Sequence, residues 1–161
     1  VATRQALKIH EAREKIIKAK RVQSEWSSRP LDERIKLVLA GVSIVGEMNE
    51  EIVVELAKMM GRPVQYGGEF KGFQERATYM AQIAKKSLAS IEISEDKSFK
   101  RYIKRVPHGI VFVVAPWNYP YMTAINSVAP ALIAGNAVIL KHAQQTILVG
   151  ERMANAFQKQ G

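Results

Sequence analysis

At 161 residues, 47% of them hydrophobic, the chain is long enough for one domain with a real core, and no apolar run reaches the length needed to span a bilayer. A cysteine count of zero excludes disulfides, thiolate metal sites and a cysteine nucleophile within these residues. The formal net charge of +9 raises nucleic acid as a partner, but the basic residues are scattered over helix faces.

Only Lys97, Lys100, Arg101, Lys104 and Arg105 cluster locally, and Phe99, Tyr102 and Ile103 between them make no RNA-binding aromatic motif, so neither nucleic acid nor a membrane is an expected partner. No charged-then-apolar leader with a small-residue cleavage site opens the sequence, which makes the cytoplasm the expected compartment.

In chain order, residues 2–9 are short and mixed and read as a candidate edge strand. From Glu11 the apolar positions Ala12, Ile16, Ala19 and Val22 recur at helical spacing, predicting a helix of about four turns that ends near Trp26. Pro30 fits the first turn of a second helix, with a stripe at Leu31, Ile35, Val38, Val42 and Val45. Asn49 is the expected N-cap of a third, with Glu50 and Glu51 at the positive end of its dipole, Ile52, Leu56 and Met59 facing inward and Gly61 at the C-cap.

Pro63 restarts the chain. Phe70, Phe73, Ala77, Met80, Ala84 and Leu88 predict a long helix to about Ala89, its first turns weakened by Gly67, Gly68 and Gly72. Residues 90–98 read as a connection, and Phe99 to Val106 alternate as a strand that ends at the turn Pro107-His108-Gly109. Its lysines and arginines are the charges expected along an exposed edge.

The stretch from Ile110 to Lys141 organises the rest. A β-branched run, Ile110 to Val114, a turn bracketed by Pro116 and Pro120, a helical segment to Ala134, the break Gly135-Asn136 and a second apolar run, Ala137 to Leu140, make a strand-helix-strand unit. Its strands are expected to be parallel and covered on both faces, with ligands gathering at their carboxyl ends. The two prolines restrict the turn and aim Asn118 reproducibly, either as a carboxamide donor to a developing oxyanion or as a helix cap beside a core Trp117.

Residues 156–161 read as a helix reaching a glycine C-cap at Gly161. His10, His108 and His142 lack metal-ligand spacing and read as solvent-facing or turn residues, so no metal site is expected.

Pro116-Trp117-Asn118-Tyr119-Pro120, followed by Ala134-Gly135-Asn136-Ala137-Val138-Ile139-Leu140-Lys141, resembles the signature pair of the NAD(P)-dependent aldehyde dehydrogenases. Pro30-Leu31-Asp32-Glu33-Arg34 and Met60-Gly61-Arg62-Pro63 are similar to segments that precede the signature in that family, so the resemblance covers essentially the whole chain. It implies an α/β fold in which an N-terminal helical region (10–90) leads into a partial Rossmann-like parallel-sheet cofactor domain (109–161). A projecting strand arm (97–108) would pair with another subunit through 99–106 in a homo-oligomer.

The implied chemistry is oxidation of an aldehyde to a carboxylate with NAD or NADP through a cysteine thiohemiacetal. The cysteine and a general-base glutamate would lie beyond Gly161, so the chain reads as the N-terminal part of a longer enzyme and as inactive by itself. The resemblance assigns Asn118 to the oxyanion hole, Ala115, Pro116, Trp117, Lys141 and Gln144 to the cofactor, and Tyr119, Thr123 and Asn126 to the aldehyde tunnel.

Gln144 stands where NAD-preferring members commonly have glutamate, so a 2′-phosphate is not repelled and NADP is expected to be tolerated or preferred. Lys141-His142-Ala143 also resembles the variant of some succinate-semialdehyde dehydrogenases. Polar residues at 123 and 126 suit a short or carboxylated aldehyde, or else face a subunit contact. The alternative to an enzyme part is a non-catalytic nucleotide-binding or oligomerisation module.

Overall fold

The computed structural model describes residues 2–95 and 98–159. Helix α1 (Ile9–Ser28) starts where the Lys8 backbone N–H donates to the Glu11 carboxylate at 2.6 Å, satisfying a donor that the helix itself leaves free. Residues 2–8 ahead of it are irregular, not the edge strand the sequence suggested. They have no sheet to join, because Arg4 pairs with Glu151 near the far end of the chain, at 2.7 and 2.9 Å.

Helix α2 (Leu31–Glu47) buries Val38, Val42 and Val45 from the expected stripe, with Pro30 just outside its first turn as the capping residue. Helix α3 (Asn49–Met60) follows after the single residue Met48, which leaves no position for Asn49 outside the helix. Met48 is therefore the N-cap, a correction to the assignment of Asn49, whose buried Oδ1 has no partner. Ile52 and Leu56 face the core, and Gly61 ends the helix at φ 74°, a left-handed conformation that glycine adopts without penalty.

A 3-10 turn at Val64–Tyr66 leads into helix α4 (Phe70–Leu88), which buries Phe73, Ala77, Ala81 and Ala84. Gly72 lies inside it because the Met122 thioether packs where a side chain at 72 would go: a Cβ there would meet Met122 Sδ. What sequence reasoning cost as weak helix propensity is a close approach of two helices.

Strand β1 (Ile91–Glu95) falls in the stretch expected to be a connection, and it pairs antiparallel with β2 (Lys100–Ile103). The second strand is shorter than the predicted 99–106 because β1 supplies few partners and its register shifts between Glu92 and Ser94. Glu92 and Lys100 form a cross-strand ion pair at 3.0 Å. Lys97 lies outside the described residues, while Lys100, Arg101, Lys104 and Arg105 are exposed.

The second half is the strand-helix-strand unit. Strands β3 (Ile110–Val114) and β4 (Ala137–Lys141) are parallel and in register from Ile110 against Ala137 to Val114 against Lys141. Between them helix α5 (Pro120–Ile133) is the most buried element: Tyr121, Ala124, Ile125, Val128, Ala129 and Ile133 all face inward. Its alanines let α4 and α2 approach closely, and the Phe73 and Tyr121 rings meet edge to face at 6.1 Å.

Buried Asn136 ties the starts of both strands together, accepting from Gly109 N–H and donating to Ala131 O, each at 3.0 Å. The sheet is not covered on both faces as expected. Val113 is buried, but Phe112 and Val114 on the other side are 63% and 62% exposed.

After a 3-10 turn at Gln144–Thr146, helix α6 (Ile147–Gln158) packs on α2 with Val149, Met153 and Ala156, and it ends at a C-cap Lys159 in right-handed helical conformation. The expected cap at Gly161 lies outside the described residues. No helix among the described residues is long and apolar enough to cross a membrane.

Candidate functional site

Parallel strands end at the same edge, so the residues that leave β3 and β4 are neighbours by construction. Here the Ala115 N–H donates to the Lys141 carbonyl at 3.1 Å, the last rung before the chains part. The segment Ala115 to Tyr119 and the segment Lys141 to Gln144 therefore start side by side. Ala115 is itself buried, so it fixes the two strand ends and presents no side-chain surface.

Pro116, Trp117, Asn118 and Tyr119 are exposed beyond it, Trp117 at 47% and Tyr119 at 54%. Trp117 is thus not a core residue. The helix cap is not Asn118 but Tyr119, in left-handed conformation at φ 51° and ψ 53°, with no side-chain capping bond. A residue with a Cβ holds that conformation at a cost of roughly 1–2 kcal/mol, which its surroundings must offset. The Asn118 carboxamide has no hydrogen bond among the described residues and stands free at the start of a buried helix whose N-terminus carries the positive end of the dipole.

Three contacts fix Tyr119. Its carbonyl accepts from the Thr123 N–H at 3.0 Å and from the Thr123 hydroxyl at 2.7 Å, and the Arg62 guanidinium lies over its ring, 5.0 Å from the centroid. Arg62 also pairs with Glu69 at 2.6 Å, and the other Glu69 oxygen accepts the Met122 N–H at 2.9 Å. Glu69, only 5% exposed, thereby caps the first turn of α5 from the α3–α4 connection. Sequence reasoning quoted Arg62 inside a helix-stop motif and passed over Glu69. The acid immediately before the predicted helix at Phe70 was the available signal.

Thr123 and Asn126 lie one and two turns along α5 from Tyr119. The Asn126 carboxamide oxygen accepts from Arg76 of α4 at 3.2 Å, so this wall carries a hydroxyl, an amide and a cation. On the β4 side, Lys141 is exposed, and its ammonium makes one long contact, 3.4 Å to the His142 carbonyl. Gln144 is exposed at the start of the 3-10 turn.

His142 between them is not solvent-facing, a correction to the sequence reading. The ring packs over Gly150 with both nitrogens buried and unpartnered, and burial, aided by the charge of Lys141, pushes its pKa down to about 4. It is held neutral. His10 and His108 are exposed, and no group of three His, Cys, Asp or Glu among the described residues could hold a metal.

A family model described as the aldehyde dehydrogenase family matches residues 1–161. Vanillin dehydrogenase of Corynebacterium glutamicum is 33% identical over 139 residues, covering 82% of this chain and 28% of that enzyme. Benzaldehyde dehydrogenase [NAD(+)] of Pseudomonas putida is 34% identical over 136 residues, covering 82% of this chain and 27% of that one. The NADP-dependent glyceraldehyde-3-phosphate dehydrogenase of Bacillus halodurans, solved with NADP, matches at a TM-score of 0.86 and 29% identity over 97% of this chain and 34% of its own. The chain spans about a third of the length of the relatives it matches, or less.

Proposed function

Because the chain belongs to the aldehyde dehydrogenase family, we propose that it supplies the oxyanion-binding turn and part of the cofactor cleft of a longer enzyme that oxidises an aldehyde to a carboxylate with NAD or NADP. The observation that carries this reading is the turn after β3: Asn118 is exposed, unpartnered among the described residues and not used as a helix cap, and the next residue, Tyr119, is held in an otherwise unfavourable left-handed conformation.

The reaction begins with a thiolate from outside these residues adding to the aldehyde carbon, as the carbonyl electron pair moves onto oxygen. Asn118 Nδ2–H donates to that oxygen as its charge develops, an interaction stronger in the transition state than in the free aldehyde. The dipole of α5 adds positive potential at the same place. Bound NAD or NADP supplies the hydride acceptor that carries the adduct to the acyl level. Hydrolysis of the acyl-enzyme then releases the carboxylate.

The donor set at the strand ends fits a dinucleotide. The exposed ammonium of Lys141 and the carboxamide of Gln144 suit ribose hydroxyls or a 2′-phosphate, and exposed Pro116 and Trp117 offer an apolar wall. Relatives named for NAD and for NADP support a dinucleotide of either kind as the cofactor. In this reading residues 109–161 form part of the cofactor domain, residues 10–90 its helical support, and the β1–β2 hairpin a subunit contact. The hydroxyl, amide and Arg76 cation along Tyr119, Thr123 and Asn126 favour a short or carboxylated aldehyde.

Asn118→Ala in the longer enzyme is the test. It should lower kcat by on the order of a hundredfold while leaving cofactor affinity nearly unchanged, as removal of one oxyanion donor does. A kcat within about threefold of wild type would remove Asn118 from the mechanism.

A further inference from the structure

We propose that Arg62 and Glu69 are positioning residues for Asn118: a buried ion pair on the α3–α4 connection that holds the Tyr119 turn from outside the strand-helix unit. The proposal rests on the reading of Asn118 as the oxyanion donor.

Both groups are largely withdrawn from water, with side chains 13% and 2% exposed. A buried ion pair is weak evidence for stability, because desolvation offsets most of its Coulombic gain, and its best-attested use is to fix one arrangement over others. The contacts here identify that arrangement. One Glu69 oxygen takes Arg62, and the other takes the N–H of Met122, the third residue of α5.

The same guanidinium lies over the ring of Tyr119. Arg62 thus touches, directly or through Glu69, both the left-handed residue and the helix turn that follows it. Asn118 immediately precedes Tyr119, so the direction in which its carboxamide is presented depends on that backbone conformation. The pair is also neutral as a whole, so the Glu69 carboxylate lies close to the α5 N-terminus without adding net negative charge where an oxyanion must form.

The experiment is a double-mutant cycle in the longer enzyme, using Arg62→Met, Asn118→Ala and the two combined, with kcat, cofactor KM and Tm measured for each. In the wild-type background Arg62→Met should lower kcat about tenfold or more, as misplacing a catalytic group does, with cofactor KM within about twofold. In the Asn118→Ala background the same change should alter kcat by less than about twofold, since its target is already gone. Glu69→Gln, which keeps an acceptor for Met122 and removes the ion pair, should show the same non-additivity with a smaller loss, and it serves if Arg62→Met does not fold.

Equal losses in both backgrounds would overturn the proposal and make the pair a support of the fold only. So would an unchanged kcat for Arg62→Met and Glu69→Gln alongside a damaged Asn118→Ala, an outcome that leaves the oxyanion reading standing. If Asn118→Ala itself is without effect, that reading and the positioning role fail together.

Discussion

In the proposed cofactor cleft, position 144 would set how charge is treated. Lys141 and Gln144 are both exposed beside the strand ends, so a 2′-phosphate bound there as proposed would meet attraction and no repulsion. Gln144→Glu in the longer enzyme should weaken NADP by ~1–3 kcal/mol after screening, an approximately tenfold to hundredfold rise in Kd, and leave NAD similar or improved. Direct titration of both nucleotides reads this independently of turnover, with kcat/KM as a second measure. An unchanged NADP to NAD ratio would show that residue 144 does not face the ribose. At this scale the sequence made the adjacency of the candidate segments legible, since Pro116 to Pro120 and Lys141 to Gln144 each follow directly on one of two paired parallel strands. The contacts of Arg62 and Glu69 with the Tyr119 turn were illegible because Glu69 reaches Met122 across 53 positions, a pairing that only the packing of α4 on α5 creates. His142 was misread for a similar reason: the glycine that makes room for its ring is on the next helix.

Among the elements, boundaries followed local rules wherever one element decided them alone. Gly61 is the clearest case, a left-handed C-cap with nothing within 4 Å of where a Cβ would be. Gly61→Ala should therefore cost roughly 1–2 kcal/mol, all of it backbone strain, with Tm falling and kcat per folded enzyme little changed. A Tm equal to wild type in thermal melts would mean that the α3–α4 connection relaxes out of the left-handed conformation. Where two elements share a boundary, local rules failed. Asn49 lost its capping role because α2 ends one residue before Met48. Strand β1 was missed because Ile91-Glu92-Ile93-Ser94-Glu95 is short and has no buried face to mark it; its evidence is its partner, β2. The β3–α5–β4 unit was legible because its apolar runs, prolines and glycine break all agree.

For the molecule as a whole, the features that sequence could not settle are surfaces. The hairpin leaves Ile91, Ile93, Tyr102 and Ile103 exposed, and a two-stranded hairpin without a packed face is marginal in water by itself. With the hairpin as the proposed subunit contact, Ile103→Glu in the longer enzyme should raise the subunit dissociation constant about tenfold or more, through a charge placed in that contact, without disturbing the helical core. Sedimentation velocity across a dilution series checks this, and unaltered assembly would take β2 out of the interface. The carboxyl end of α5 has an opposite fate, being closed by distant side chains. Gln23 Nε2, Trp26 Nε1 and Arg34 Nε donate to the carbonyls of Gly135, Leu132 and Ile133 at 2.9, 2.8 and 3.0 Å. Their partners are separated by 112, 106 and 99 positions, so on a growing polypeptide the donors emerge long before the acceptors exist. Until α5 has left the ribosome, α1 has no dock, and Trp26, which packs against the core in the finished fold, is open to any apolar surface nearby. Synthesis order thus makes the first helix one of the last to settle, and the interval before residue 135 emerges is when a chaperone would have most to hold.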